Sequence, residues 1–170
     1  MDLNSIPPPI FEGSHFPSST KRLELSQRDQ AMKHMSYKVI DRLFLVVLVT
    51  AEPTDEEWTT YLEVVERHGI DRTMQLIATD GGVPTSTQRR YLNERLAGRN
   101  VPVAVITGNT AVRSIVTAMS WFNRKIRAFP PSGFRDAIAY LQIPASRTEL
   151  IEREMAKLKA ELEDGRRATA

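Results

Sequence analysis

Residues 79–90 read TDGGVPTSTQRR. One carboxylate, two glycines and a run of hydroxyls precede two guanidinium groups, the ingredients of a phosphate cradle, a phosphorylated switch or a well-capped helix start. In a cradle, the free backbone N–H groups at the start of a helix would face an anion with the helix dipole behind them. In a switch, Ser86 or Thr87 would carry a phosphate in the first helical turn, with Arg89 and Arg90 nearby. In a cap, Thr85 and Gln88 form a capping box, Gly81 and Gly82 allow a sharp exit from the preceding strand, and Pro84 holds Val83 extended. The cap is the most economical role for Thr85. A second junction, TGNTAVRS at 107–114, puts Thr107, Asn109, Thr110 and Arg113 at the start of another helix. In a parallel sheet both junctions leave the carboxyl edge, which ligand sites favour, so a site joining Asp80, Gly82, Thr107, Asn109 and Arg113 is one reading. Ordinary capping by Asn109 and Thr110 is the plainer one.

Other chemistry is scarce. The 170 residues include no Cys, which removes disulfides, thiol nucleophiles and thiolate metal sites. His15, His34 and His68 lack the short spacings of helix-borne zinc ligands, so no metal is expected. His68 precedes Gly69 at a helix end, where an imidazole suits the dipole without doing chemistry. No nucleophile, base and orienting group can be assembled, and the expectation is a non-catalytic protein without a cofactor.

Net charge is +2, which does not point to nucleic acid, but its distribution is uneven. Residues 81–135 carry Arg89, Arg90, Arg95, Arg99, Arg113, Arg124, Lys125, Arg127 and Arg135 against the single acid Glu94, whereas 52–71 is strongly acidic. Such asymmetry steers a charged partner. The most apolar run, LFLVVLV at 43–49, is too short to span a bilayer, and a cytoplasmic protein is expected.

These junctions need elements to hold them. Residues 1–35 are rich in Pro, Ser and Gly and read as an irregular tail, with a helical turn or two beginning at Ser26. SYKVIDRLFLVVLVT is dense in β-branched and apolar residues and reads as strand, either single or folded into a hairpin at Asp41 and Arg42. Thr54 and Glu57 box the start of a helix that presents Trp58, Leu62 and Val65 and ends at Gly69. TMQLIAT, VPVAVIT and KIRAF read as strands. Helices follow from Thr85, from Asn109 (buried through Val112, Ile115, Val116, Met119 and Trp121) and from Ser132, and Ser146 with Glu149 starts a long terminal helix. Alternating strands and helices joined by short loops imply a mainly parallel sheet of four or five strands covered by helices. The divisions are 1–35 tail, 36–143 α/β domain, 146–165 C-terminal amphipathic helix and 166–170 flexible tail.

The junctions lack the paired acids and lysine of a receiver domain, the Gly-Lys-Ser/Thr of a P-loop and the three spaced glycines of a dinucleotide fingerprint. In order and spacing, and above all in LIATDGGVPTSTQRRYL and VPVAVITGNTAVRSIVTAMSWFN, the chain resembles the STAS family of regulatory domains, in its divergent SpoIIAA-like form. That resemblance implies a module that works by protein contact, with an acidic or kinase-like partner, and a switch after the third strand. Asp80 matches the Asp of the family's Asp-Ser-Ser/Thr-Gly motif, but Gly81 and Gly82 take the next positions and the hydroxyls come later. Two other readings stand beside it: a domain that holds a small anionic ligand or nucleotide at its two helix starts, and a self-assembling structural component. The terminal helix carries Ile151, Met155, Leu158 and Leu162 at heptad spacing. That stripe must lie on the helix's own domain or on a second copy of the chain, giving a homo-oligomer.

Overall fold

The computed structural model describes residues 33–167. The tail reading and the helix expected from Ser26 fall almost wholly outside them; Met35, placed in the tail on sequence, is the buried first residue of strand β1. The strands are β1 (Met35–Ile40), β2 (Leu43–Leu48), β3 (Met74–Thr79), β4 (Val103–Ile106) and β5 (Ile126–Phe129), and the helices are α1 (Asp55–Arg67), α2 (Ser86–Leu96), α3 (Thr110–Met119), α4 (Phe134–Tyr140) and α5 (Thr148–Arg167). The sheet runs β1-β2-β3-β4-β5 in chain order; β1 is antiparallel to β2 and every other pair is parallel. The fold is therefore α/β with a mostly parallel five-stranded sheet and a C-terminal helix.

The run 35–48 is a hairpin. Asp41 takes the turn at φ 57°, a left-handed conformation that Asp tolerates better than most residues, and its carboxylate meets Arg147 at 2.8 Å. β2 is apolar throughout because both of its faces are covered. Phe44, Val46 and Leu48 pack beneath α1, α2 and α3, while Leu43, Leu45 and Val47 pack beneath α4 and α5. α1 opens with the expected Thr54/Glu57 box. Glu57 does more than cap, since it also accepts from the backbone N–H groups of His34 and Met35, tying the entry of β1 to α1. Burial pushes its carboxyl pKa up, but the three N–H donors and the His34 ring outweigh this and hold it below its ordinary value.

The terminal helix lies on the chain's own sheet. Ile151, Met155, Leu158 and Leu162 are buried with Leu45, Val47 and Leu76, which leaves none of that stripe for a second chain. α5 begins at Thr148 behind a 3-10 turn at Ala145–Arg147, one residue later than a box on Ser146 would place it. Its one buried charge, Glu154, bonds to Lys157 at 2.8 Å and to Lys38 of β1.

The hydrogen bonds from Lys157 and Lys38 hold the Glu154 carboxyl at about 2, against an ordinary value of 4.5. A depressed carboxyl stabilises the fold fully above the unfolded-state value, and that stability is lost as pH falls through the folded one. Glu154→Gln is expected to be less stable than wild type at pH 7, with the gap closing between about pH 4.5 and 2. Urea denaturation of both chains across that range checks it, and a gap that stays constant would deny the ion pairs their role.

Candidate functional site

The loops after β2, β3 and β4 leave the same edge of the sheet and meet there. A side chain at Gly81 would come within 3.3 Å of the Asn109 amide and 3.5 Å of the Thr50 methyl. Gly82 is built into the junction more tightly. Its N–H bonds to the Val49 carbonyl at 2.8 Å, and an added Cβ would stand 2.0 Å from that oxygen and 2.4 Å from the Ala51 carbonyl. The Thr79 hydroxyl closes the turn by donating to the Gly82 carbonyl at 2.6 Å and accepting from the Gly81 N–H at 3.1 Å.

Thr85 and Gln88 form the expected capping box. Less visible from sequence, the Gln88 side chain is buried and its Nε2 donates both to the Pro53 carbonyl at 3.0 Å and to Asp55 Oδ1 at 2.7 Å. The Trp58 indole donates to the Gln88 carbonyl. The first turn of α2 is thereby clamped to the start of α1. In α3, Asn109 is the cap, accepting from the N–H groups of Ala111 and Val112.

The expected site residues divide accordingly. Asp80 is exposed but paired with Lys159 of α5 at 3.0 Å. Thr107 is only 1% exposed and its hydroxyl accepts the Asn109 N–H. An anion site joining Asp80 to Thr107 thus has one member turned to an ion pair and the other sealed in the fold. With strands in chain order there is also no reversal point, the feature that opens a ligand crevice at the carboxyl edge of doubly wound sheets. Arg89 donates to the Pro84 carbonyl and Arg113 reaches the Thr107 carbonyl at 3.4 Å. Ser86, Thr87, Arg90, Thr110 and Arg113 are exposed.

On this face sequence reasoning misplaced a tryptophan. Trp121, assigned to the buried face of α3, is 82% exposed, and Phe122 is 63% exposed. At 100° per residue Trp121 falls on the side opposite Val112, whereas Asn123 continues the inward series 112, 116, 119. Asn123 is buried and donates to the Val101 carbonyl at 2.8 Å, turning the chain so that the two aromatics point away. Phe122 shares a shallow depression with Ser86, Arg89, Arg90, Asn93 and Glu94 of α2. Arg124 and Lys125 follow it, both exposed.

Among the described residues no group of acids and histidines has the arrangement of a metal site, and no helix is long and apolar enough to cross a membrane. Comparison with family models, curated proteins and solved structures finds no match for this chain. The chain is an α/β domain with a shallow depression in which Phe122 meets Arg89 and Arg90.

Thr85→Ala is expected to cost about 1 kcal/mol, the usual worth of an N-cap. Gln88→Ala should cost about 2–3 kcal/mol because it also strands buried backbone groups that the amide now serves. Gly82→Ala should cost at least about 3 kcal/mol, since the atoms it would strike are backbone. Chemical denaturation of the three variants tests the ranking, and a mild effect at Gly82 would refute the tight junction.

Proposed function

We propose that the chain is a non-catalytic regulatory module of the STAS type that binds another protein through the outer face of α2 and the turn after α3. The observation that carries this reading is Phe122, exposed in one depression with Arg89 and Arg90 and preceded in the chain by the exposed Trp121. Trp and Arg dominate the energetics of protein interfaces, and an aromatic left in water at this exposure gains most from a partner that covers it. The surrounding cations call for an acidic partner. Glu94 in the same depression, and its concave shape, favour a protein side chain over a flat anionic membrane. Ser86 and Thr87 sit exposed in the first turn of α2, where a phosphate would meet the dipole and Arg90 and change the charge offered to the partner.

The test has two stages. A protein retained from the native cell by the wild-type chain is identified and then titrated against Arg90→Glu and against the pair Trp121→Ser with Phe122→Ser. Affinity is expected to fall at least about tenfold for each, with the wild-type complex weakening as salt rises. Equal affinity for all chains would overturn the reading. Sedimentation of the wild type, but not the aromatic variant, with phosphatidylserine vesicles would reassign the face to a membrane surface.

A further inference from the structure

Beneath α2 the first face of the sheet is not filled. α2 is clamped at Gln88 and seated again at Leu96, while Tyr91, Leu92 and Asn93 between these anchors are only half-buried. The space left against the sheet is a cavity of about 80 Å³. Its walls are mainly aliphatic and no charged side chain lines it. Leu92 and Asn93 of α2 and Ile115 and Met119 of α3 stand half-buried on its wall, which puts its mouth between those helices.

Polar side chains break this apolar lining at Tyr61, Gln75, Thr79, Asn93 and Asn123. Gln75 pairs in register with Phe44 and Val103 and sits with them on the inward face, a position where period-two patterning calls for an apolar residue; it is 9% exposed. Tyr61 of α1 is 2% exposed, and its hydroxyl has no hydrogen-bond partner. A buried phenol normally finds one, because leaving it unpaired costs free energy. Burial pushes the Tyr61 pKa far up, so the group stays a neutral O–H donor. Thr79 and Asn123 also lie on the wall, but their polar atoms serve the backbone of Gly81, Gly82, Val101 and Lys125.

We propose that this cavity is a binding site for a small neutral molecule with an apolar body and one polar head, a carbonyl or hydroxyl, that accepts the hydrogen bond of Tyr61. An apolar pocket with a few polar groups is the usual form of a small-molecule site. The volume is about half that of an engineered cavity of ~150 Å³ that takes up benzene, so the occupant is a short molecule or the end of a longer one held at the mouth. Absence of charge on the walls excludes carboxylates and phosphates by desolvation. The site does not depend on the protein-binding face.

Three probes of equal heavy-atom count separate the elements of the proposal: butan-2-one, pentane and propanoate, each titrated into the intact chain while the methyl resonances of Val105 and Ile115 are followed. Butan-2-one is expected to shift these methyls at lower concentration than pentane, and propanoate not at all. Tyr61→Phe should raise the melting temperature, because it removes an unpaired buried hydroxyl, and weaken butan-2-one binding about five- to tenfold, the worth of one hydrogen bond, leaving pentane unaffected. If Tyr61→Phe does not fold, the preference of the wild type for butan-2-one over pentane decides by itself. Equal affinity for ketone and hydrocarbon, no effect of the substitution, binding of propanoate, or no shift with any probe would each overturn the proposal. The Trp121→Ser, Phe122→Ser chain should bind butan-2-one as the wild type does, which separates this site from the docking face.

Discussion

A right-handed crossover between parallel neighbours, repeated without reversal, governs this fold. Because β2, β3, β4 and β5 follow one another across the sheet, each connection must pass over the same face. α1, α2 and α3 are therefore stacked on one side, and nothing made before β5 can cover the other. The alternating side chains of β2 and β4 are apolar in both directions, so the bare face would expose Leu43, Leu45, Val47, Ala104 and Ile106. α4 and α5 answer that need, with the stripe of α5 packed on Leu45, Val47 and Leu76.

The same order shapes what the chain offers to other molecules. Without a strand reversal the junction loops close on one another, and their hydroxyls and amides are used to hold the turns. Thr79, Thr107, Asn109 and Gln88 each bond to backbone within the edge. What remains open to other molecules is the layer outside the sheet: the face of α2, the turn beyond α3, and the gap beneath α2 between its anchors at Gln88 and Leu96.

Much of the fold was legible because it rests on local rules. The Thr54/Glu57 and Thr85/Gln88 boxes announced two helices, and the β-branched runs announced the strands between them. What escaped depends on distance in sequence. The hairpin at Asp41 has no tight-turn signature and gains its carboxylate partner from Arg147, over a hundred residues away. Trp121 was misread because apolar character was taken for inward direction, while the residue that continues the helical period inward is the polar Asn123. The capping role of Gln88 could be read in the chain, but its grip on Pro53 and Asp55 could not. Nothing in the chain singles out Tyr61 or Gln75; their places on the wall of one cavity do. The heptad spacing of α5 fitted a coiled pair and a sheet-bound helix equally, since a two-residue alternation of sheet side chains also accepts a narrow stripe.

The late position of α5 has a consequence for synthesis. All five strands leave the ribosome before Ile151, Met155, Leu158 and Leu162 do, and domains begin to organise as they emerge. During that interval the nascent sheet has one finished side and one oily side, the state in which partly made chains associate with each other. Lys38 and Asp80, which later receive Glu154 and Lys159, stand as charged markers beside that oily side from the start, so the arriving helix meets two partners near the middle of its length as it seals the surface.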